Sequence, residues 1–155
     1  MEVLEIAVPA HLRYVAVVRM LVVAASAPAE LSKRRLEDLK LVVSEAVTNA
    51  VEAHQAEPDE PIRVRCWVDG GAGGTVHVEV RDRGAGFDPS TIEGPPPAEH
   101  PDRVAHERGL GIPLIRMFAN EVSFERTTDG TVVHMVIEPA APHDDDAEDG
   151  ARALS

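Results

Sequence analysis

The sequence predicts an α+β fold, a two-layer α/β sandwich in which helices cover one face of a mixed, mostly antiparallel sheet. Residues 62–68 and 75–80 alternate apolar and polar side chains on either side of a glycine-rich run, which is typical of a β-hairpin. Residues 122–126 and 131–137 predict two more strands joined by a turn. Upstream of the hairpin, apolar residues recur at steps of three and four across residues 36–50, which indicates a long helix with one buried face.

The N-terminal part of the chain adds a strand and a helix, and it contains the start of the long helix. Residues 3–8 predict a first strand that ends at Pro9, and residues 10–25 predict a first helix. Ser32 is a good N-cap for the long helix, because its hydroxyl can accept a hydrogen bond from a first-turn N–H. The basic residues 33–35 that follow oppose the helix dipole, so we interpret them as a solvated turn, with a charged partner as the alternative.

Composition argues against several classes of protein. The chain has 155 residues and is 44% hydrophobic, which suits one domain with a core of aliphatic side chains. A formal net charge of -12 argues against direct binding to nucleic acid or to an anionic membrane. Cys66 is the single cysteine and the first residues lack a signal-peptide pattern, so we expect a soluble cytoplasmic protein. We expect residues 1–139 to form the domain and residues 140–155 to form a disordered acidic tail.

Two polar residues of the long helix are candidates for chemistry. Glu45 and Asn49 lie four residues apart, so both side chains project from the same side of the helix. A carboxylate can act as a general base or bind a cation, and an amide oxygen one turn away can complete a site for a hard cation. Such a pair is more often a solvated helix face, so the functional interpretation depends on the motifs that follow.

The first of these motifs stands after the second strand of the hairpin. Asp82 is followed by Gly84 and Gly86, and both glycines let the backbone turn sharply and approach a ligand. The alternative is an ordinary turn at the end of a strand. Beyond it, residues 94–108 are rich in proline, histidine and charge, and predict a long irregular loop with no secondary structure, of the kind that often acts as a lid.

The second motif is Gly109-Leu110-Gly111. It stands before a predicted helix over residues 112–119, in which Pro113 suits the first turn because its missing N–H needs no partner there. Free backbone N–H groups and the helix dipole favour phosphate at such a helix N-terminus. Short Gly-x-Gly runs are also common turns, so the order of all three motifs carries more weight than any one of them.

That order resembles the ATPase superfamily of gyrase, Hsp90, histidine kinases and MutL, whose ATP-binding domain has the histidine kinase-like or Bergerat fold. Residues 45–49 look like its N box, residues 82–86 like its first glycine box and residues 109–111 like its second. Within the superfamily, the chain is most similar to the small anti-sigma factor serine/threonine-protein kinases. That closer similarity is carried by residues 9–10, 14–15, 19 and 37–40.

The resemblance implies a role for each motif residue. Glu45 would be the general base that activates the attacking serine hydroxyl, and Asn49 would bind Mg²⁺. Asp82 would accept a hydrogen bond from the adenine amino group, with Thr131 in support. The other positions, which would shape the adenine pocket or hold phosphate, are Gly84, Gly86, Arg108, Gly109, Leu110 and Gly111.

The resemblance also implies a partner-switching function in a bacterial stress response. The protein would be an ATP-dependent anti-sigma factor, which binds a sigma factor and phosphorylates a serine of an anti-sigma factor antagonist of the STAS type. ATP and Mg²⁺ would be its cofactors, Arg19 would contact a partner, and a homodimer is expected. The alternative is an ATP-binding regulatory module without kinase turnover.

The chain departs from the subfamily at the end of the long helix. Members of the subfamily often carry a histidine four residues after the N-box asparagine. Here that position is Ala53, and His54 follows one residue later. The departure removes no residue with a clear chemical task.

Overall fold

The protein is described by a computed structural model over residues 1–54, 59–84 and 103–142, with the backbone alone over residues 103–110. The strands are β1 (Val3–Val8), β2 (Ile62–Asp69), β3 (Thr75–Asp82), β4 (Glu121–Thr127) and β5 (Gly130–Ile137). They form one sheet in the order β1-β2-β3-β5-β4, and all of its pairings are antiparallel. The predicted strands are confirmed, and the sheet is wholly antiparallel in the described part of the chain.

In the described residues, three α-helices accompany the sheet. They are α1 (Val15–Ala25), α2 (Lys33–Ala53) and α3 (Arg103–Phe118). The predicted N-cap of α2 is confirmed, because the Ser32 hydroxyl accepts a hydrogen bond of 3.1 Å from the backbone N–H of Arg35. No helix in the described residues is long and apolar enough to cross a membrane.

The two layers meet in a core of small aliphatic side chains. On β3, Val76, Val78 and Val80 are buried beneath the helices, while the intervening residues face the open side of the sheet. The apolar stripe of α2 packs against the strands, and its Leu39 and Val43 are fully buried. Burial of each such side chain contributes about 1.5–3 kcal/mol. The predicted two-layer sandwich with helices on one face is therefore confirmed.

The basic first turn of α2 is solvated only in part. Lys33 and Arg34 are exposed as expected, but Arg35 is only 2% exposed. Its guanidinium donates to the Asp38 carboxylate at 2.8 Å, to the Phe118 carbonyl at 3.1 Å and to the Glu138 carbonyl at 2.9 Å. It also donates to the side-chain oxygen of Asn120. A buried charge needs this many partners to offset its lost hydration. Arg35 thereby joins α2 to the end of α3 and to the chain beyond β5.

Several element boundaries differ from the prediction. The first α-helix begins at Val15 rather than at residue 10, and Leu12–Tyr14 form a short 3-10 helix before it. The third helix begins at Arg103 rather than at residue 112, so Pro113 lies inside it and residues 103–108 are helical, not irregular. The neighbouring turns supply enough hydrogen bonds to carry the helix through a residue that cannot donate one. Strand β3 also continues to Asp82, because β5 pairs with it as far as Thr131. Residues 94–102 and the tail beyond residue 142 lie outside the described residues.

Candidate functional site

One end of the site lies where α3 crosses α2. A Cβ atom placed on Gly111 would lie 3.0 Å from Glu45 Oε2 and 3.1 Å from Asn49 Nδ2. Gly111 is buried, and the two polar side chains are half-buried. The carboxylate and the amide therefore meet over a helix surface that lacks a side chain, which leaves room beside them only because residue 111 is glycine. Glu45 and Asn49 project from the same side of α2, as the sequence predicted, and the fold brings Gly111 next to both of them.

The other end of the site lies where β3 ends beside the start of β5. Asp82 is 4% exposed and pairs in register with Thr131. Its Oδ1 accepts a 3.0 Å hydrogen bond from the Gly84 N–H. Burial raises the pKa of the Asp82 carboxyl above its ordinary value, and hydrogen bonds from the Gly84 N–H and the Thr131 backbone partly offset this rise. Because water has little access to this carboxylate, it can accept a hydrogen bond from a ligand with little competition from solvent.

The Thr131 hydroxyl offers a second polar atom at the same place. The residue is 1% exposed, and within the described ranges its Oγ1 is a buried atom with no hydrogen-bond partner. Leaving such a group unpaired costs about 1–3 kcal/mol, so a ligand or an ordered water is expected to satisfy it. Together, Asp82 and Thr131 fit a flat heterocycle that carries an amino group.

Two close backbone approaches hold this end together. A Cβ on Gly84 would lie 2.0 Å from the Ala53 carbonyl oxygen, at the C-terminal end of α2. A Cβ on Gly130 would lie 2.0 Å from the Asp82 carbonyl oxygen, and Gly130 has a φ of 153° that favours glycine. No other residue fits at either point without a backbone shift. Gly84 therefore allows the end of β3 to pack closely against α2.

His54 is a residue of this region to which the sequence assigned no role. It is fully buried, and its Nε2 accepts a 2.7 Å hydrogen bond from the backbone N–H of Arg83. The sequence signal was the histidine displaced by one position from the subfamily pattern. Its contact could not be inferred from that signal, because Arg83 lies on another element.

The second glycine motif is placed differently from the prediction. Gly109 and Gly111 lie within α3, well after its first residue Arg103. Only the first four N–H groups of a helix are free, so here these two amides are not the free helix N-terminus that we expected. Arg108 and Leu110 lie in the same stretch, where the structure describes the backbone alone. Their roles toward phosphate stay predictions.

The structure places two further predicted residues at neither end of the site. Gly86 is outside the described residues. Arg19 is exposed on α1. Among the described residues, no group of three or more His, Cys, Asp or Glu side chains could hold a metal ion. A cation at Asn49 would therefore need oxygen ligands from a bound molecule, and phosphate oxygens supply such ligands.

Comparison with curated proteins finds relatives that span most of this chain. A serine-protein kinase RsbW of Oceanobacillus iheyensis is 32% identical over 124 residues, which is 78% of this chain and 77% of the relative. An anti-sigma F factor of Pasteuria penetrans is 36% identical over 120 residues, which is 76% of this chain and 78% of the relative.

Comparison with solved structures agrees at the level of the fold. The RsbU and RsbW domains of a Mycobacterium tuberculosis protein match with a TM-score of 0.64 and 19% identity, over 89% of this chain and 32% of that longer chain. The family model described as "Histidine kinase-like ATPase domain" matches residues 8–137. That match covers both ends of the site, and the chain therefore belongs to the histidine kinase-like ATPase domain family.

Proposed function

We propose that this protein is an ATP-dependent serine kinase and anti-sigma factor. One observation carries the proposal: a single helix, α2, contacts both ends of the site. Glu45 and Asn49 meet Gly111, and Ala53 meets Gly84 beside Asp82. Along the helix, Glu45 lies about 12 Å and Asn49 about 6 Å from Ala53, at 1.5 Å for each residue. This spacing sets a base-binding end and a phosphate-binding end along one side of α2.

At the base-binding end, Asp82 accepts a hydrogen bond from the adenine amino group. The backbone of Gly84 and Thr131 occupies only part of the acceptor capacity of this carboxylate, which has about four lone-pair sites, so the ligand can still donate to it. The unpartnered Thr131 hydroxyl lies on the neighbouring strand and supports the same edge of the base. Gly84 and Gly86 shape the pocket around it.

At the phosphate-binding end, Asn49 would hold Mg²⁺ through its amide oxygen, and the ion would offset the negative charge of the phosphates. The Glu45 carboxylate takes the proton of the attacking serine hydroxyl as that oxygen bonds to the γ-phosphorus and the bond to ADP breaks. Arg108, Gly109 and Leu110 bind phosphate beside Gly111, and residues 94–108 act as the lid.

The partners follow from the relatives, whose names are serine-protein kinase RsbW and anti-sigma F factor. We propose that a sigma factor and a STAS-type anti-sigma factor antagonist bind this protein in the cytoplasm. Helix α1 and the turn before it supply a surface for this, since Leu12 is 59% and Met20 is 70% exposed beside Arg19. A homodimer that uses the same surface belongs to the proposal.

The rival function is an ATP-binding regulatory module without kinase turnover. The position of Gly109 and Gly111 inside α3 favours it, because helical amides bonded within the helix are poor ligands for phosphate. On this view the protein would bind nucleotide and a partner, and transfer nothing.

A phosphate-transfer assay tests the proposal. The protein, ATP labelled at the γ-phosphate, Mg²⁺ and the cognate antagonist are combined, and the antagonist is examined for labelled serine. We expect transfer that stops when Mg²⁺ is chelated, and capture of the sigma factor by the protein in the presence of ATP. Sigma capture without any transfer would establish the rival function. Neither transfer nor ATP binding would refute both.

A further inference from the structure

His54 sits at the C-terminal end of α2 and reaches across to the turn that follows β3. It is fully buried, yet it does not belong to the aliphatic core cluster. Its Nε2 accepts the Arg83 N–H at 2.7 Å, a short bond for a nitrogen acceptor. Arg83 is the residue directly after Asp82, so this contact acts on the backbone that carries the adenine-binding carboxylate.

The hydrogen bond determines the form of the imidazole ring. A ring nitrogen that accepts an N–H carries no proton, so the neutral ring of His54 bears its proton on Nδ1. In the part of the chain that the structure describes, Nδ1 is buried without a partner. The ring thus makes one bond that matters to the fold, and that bond leads to the turn of the site.

Two successive amides of the turn are held by two side chains. The Arg83 N–H is bonded to His54, and the Gly84 N–H is bonded to Asp82 Oδ1. If the first bond is lost, the peptide between Asp82 and Arg83 loses one of its restraints, and the second bond orients the Asp82 carboxylate less tightly. A buried histidine that served only the core would have no such connection to the ligand-binding residue.

We propose that His54 is a positioning residue for base selectivity, which holds the turn at Arg83 and Gly84 so that Asp82 presents its carboxylate to the adenine amino group. This inference rests on the proposed function, in which Asp82 binds adenine. Guanine has a carbonyl oxygen where adenine has that amino group, so the position of the carboxylate decides between ATP and GTP.

The test compares ATP and GTP binding by calorimetry in wild type, His54→Leu and His54→Gln. The glutamine side-chain oxygen can reach the place of Nε2 and accept the Arg83 N–H, whereas leucine cannot. We expect His54→Leu to weaken ATP binding roughly 3- to 12-fold, the value of one hydrogen bond, with GTP binding unchanged. His54→Gln should stay close to wild type. In the transfer assay, the KM for ATP should rise in His54→Leu while kcat holds.

Matched controls separate this role from general destabilisation. Val18→Ala removes two methyl groups at a fully buried position on α1, an element other than the turn. This variant should lower the melting temperature without changing the ratio of ATP to GTP affinity. If His54→Leu fails to fold, His54→Asn replaces it, because the shorter amide cannot span to the Arg83 N–H. An unchanged ATP to GTP ratio in His54→Leu or His54→Asn would overturn the inference.

Asp82→Asn, measured in parallel, keeps the two proposals distinct. Wild type that does not prefer ATP, or Asp82→Asn that keeps the preference, would refute the adenine site itself. If Asp82→Asn loses the preference for ATP but His54→Leu, or its replacement His54→Asn, keeps it, the role of His54 alone is refuted.

Discussion

At one end of α2, Gly84 packs against the helix backbone, while towards the middle of the helix Gly111 packs against two of its side chains. A Cβ on Gly84 would lie 2.0 Å from the Ala53 carbonyl oxygen, and a Cβ on Gly111 would lie 3.0 Å from the nearest atom of Glu45. A helix carbonyl cannot move unless the helix moves, whereas a side chain can change its rotamer. The proposed base-binding end is therefore fixed by backbone contacts, whereas the proposed phosphate-binding end is lined by side chains that can adjust.

The exposure of the polar side chains also differs between the two ends of the site. Asp82 is 4% and Thr131 is 1% exposed, while Glu45 and Asn49 are half-buried. Recognition of a base requires fixed, dry hydrogen-bonding groups, because each then discriminates strongly between ligands. A proton transfer requires a carboxylate that can reach its substrate and exchange protons with solvent. We therefore expect substitutions near Asp82 to change ATP affinity, and substitutions near Glu45 to change the rate of phosphate transfer.

The largest expected effect is on phosphate transfer and comes from Glu45→Ala. Loss of the general base should slow transfer roughly 10²- to 10⁴-fold, with ATP affinity unchanged because the carboxylate does not contact the base. Single-turnover transfer and calorimetry on the same preparation measure the two quantities. A normal transfer rate in this variant would show that Glu45 is not the general base and that another group must accept the proton.

Asp82→Asn should have the opposite profile. The Gly84 N–H holds the side-chain oxygen of the new amide, so its NH₂ group would face the adenine amino donor. We expect ATP binding to weaken by about 1.5–3 kcal/mol, the value of a hydrogen bond to a charged group. At saturating ATP, transfer should stay near the wild-type rate. Unchanged ATP affinity in a folded variant would contradict the assignment.

The two glycines provide a matched pair of smaller effects. Gly84→Ala should lower the free energy of unfolding by roughly 1–3 kcal/mol, because the methyl group can be accommodated only by a backbone shift. Gly111→Ala should change it by less than about 1 kcal/mol, since alanine favours the helix interior and the neighbouring side chains can yield. Urea unfolding measures both. Equal losses would mean that the two ends are equally rigid.

The smallest expected effect is on the stability of the ligand-free protein. Burial raises the pKa of Asp82 above 3.8 in the fold, so the folded state binds the proton more tightly than the unfolded chain. Stability is then lost as pH rises from about 3.8 through the raised pKa. Asp82→Asn carries no charge and should melt higher than wild type at neutral pH, with the difference shrinking as pH falls through that window. A constant difference at all pH values would exclude this cause.

Much of the fold could be predicted from local patterns. Alternation predicted the strands, and one-sided apolar spacing predicted α2 with its cap at Ser32, because the period of each pattern follows from the local geometry of the backbone. The proximity of Glu45 to Asn49 followed in the same way from helix geometry. The start of α3 at Arg103 was missed, because residues before the glycine motif have a composition typical of loops and Pro113 suggested a first turn.

By itself, the sequence determined which residue types are available to the site and in which order the motifs occur along the chain. Only the tertiary structure decided which of them meet. Arg35 is buried by partners on the far side of the sequence, His54 reaches Arg83 on another element, and Gly84 is pressed against Ala53. Each of these contacts joins residues that no periodicity relates, because the energy of a buried polar group or a close backbone approach depends on neighbours supplied by the whole fold.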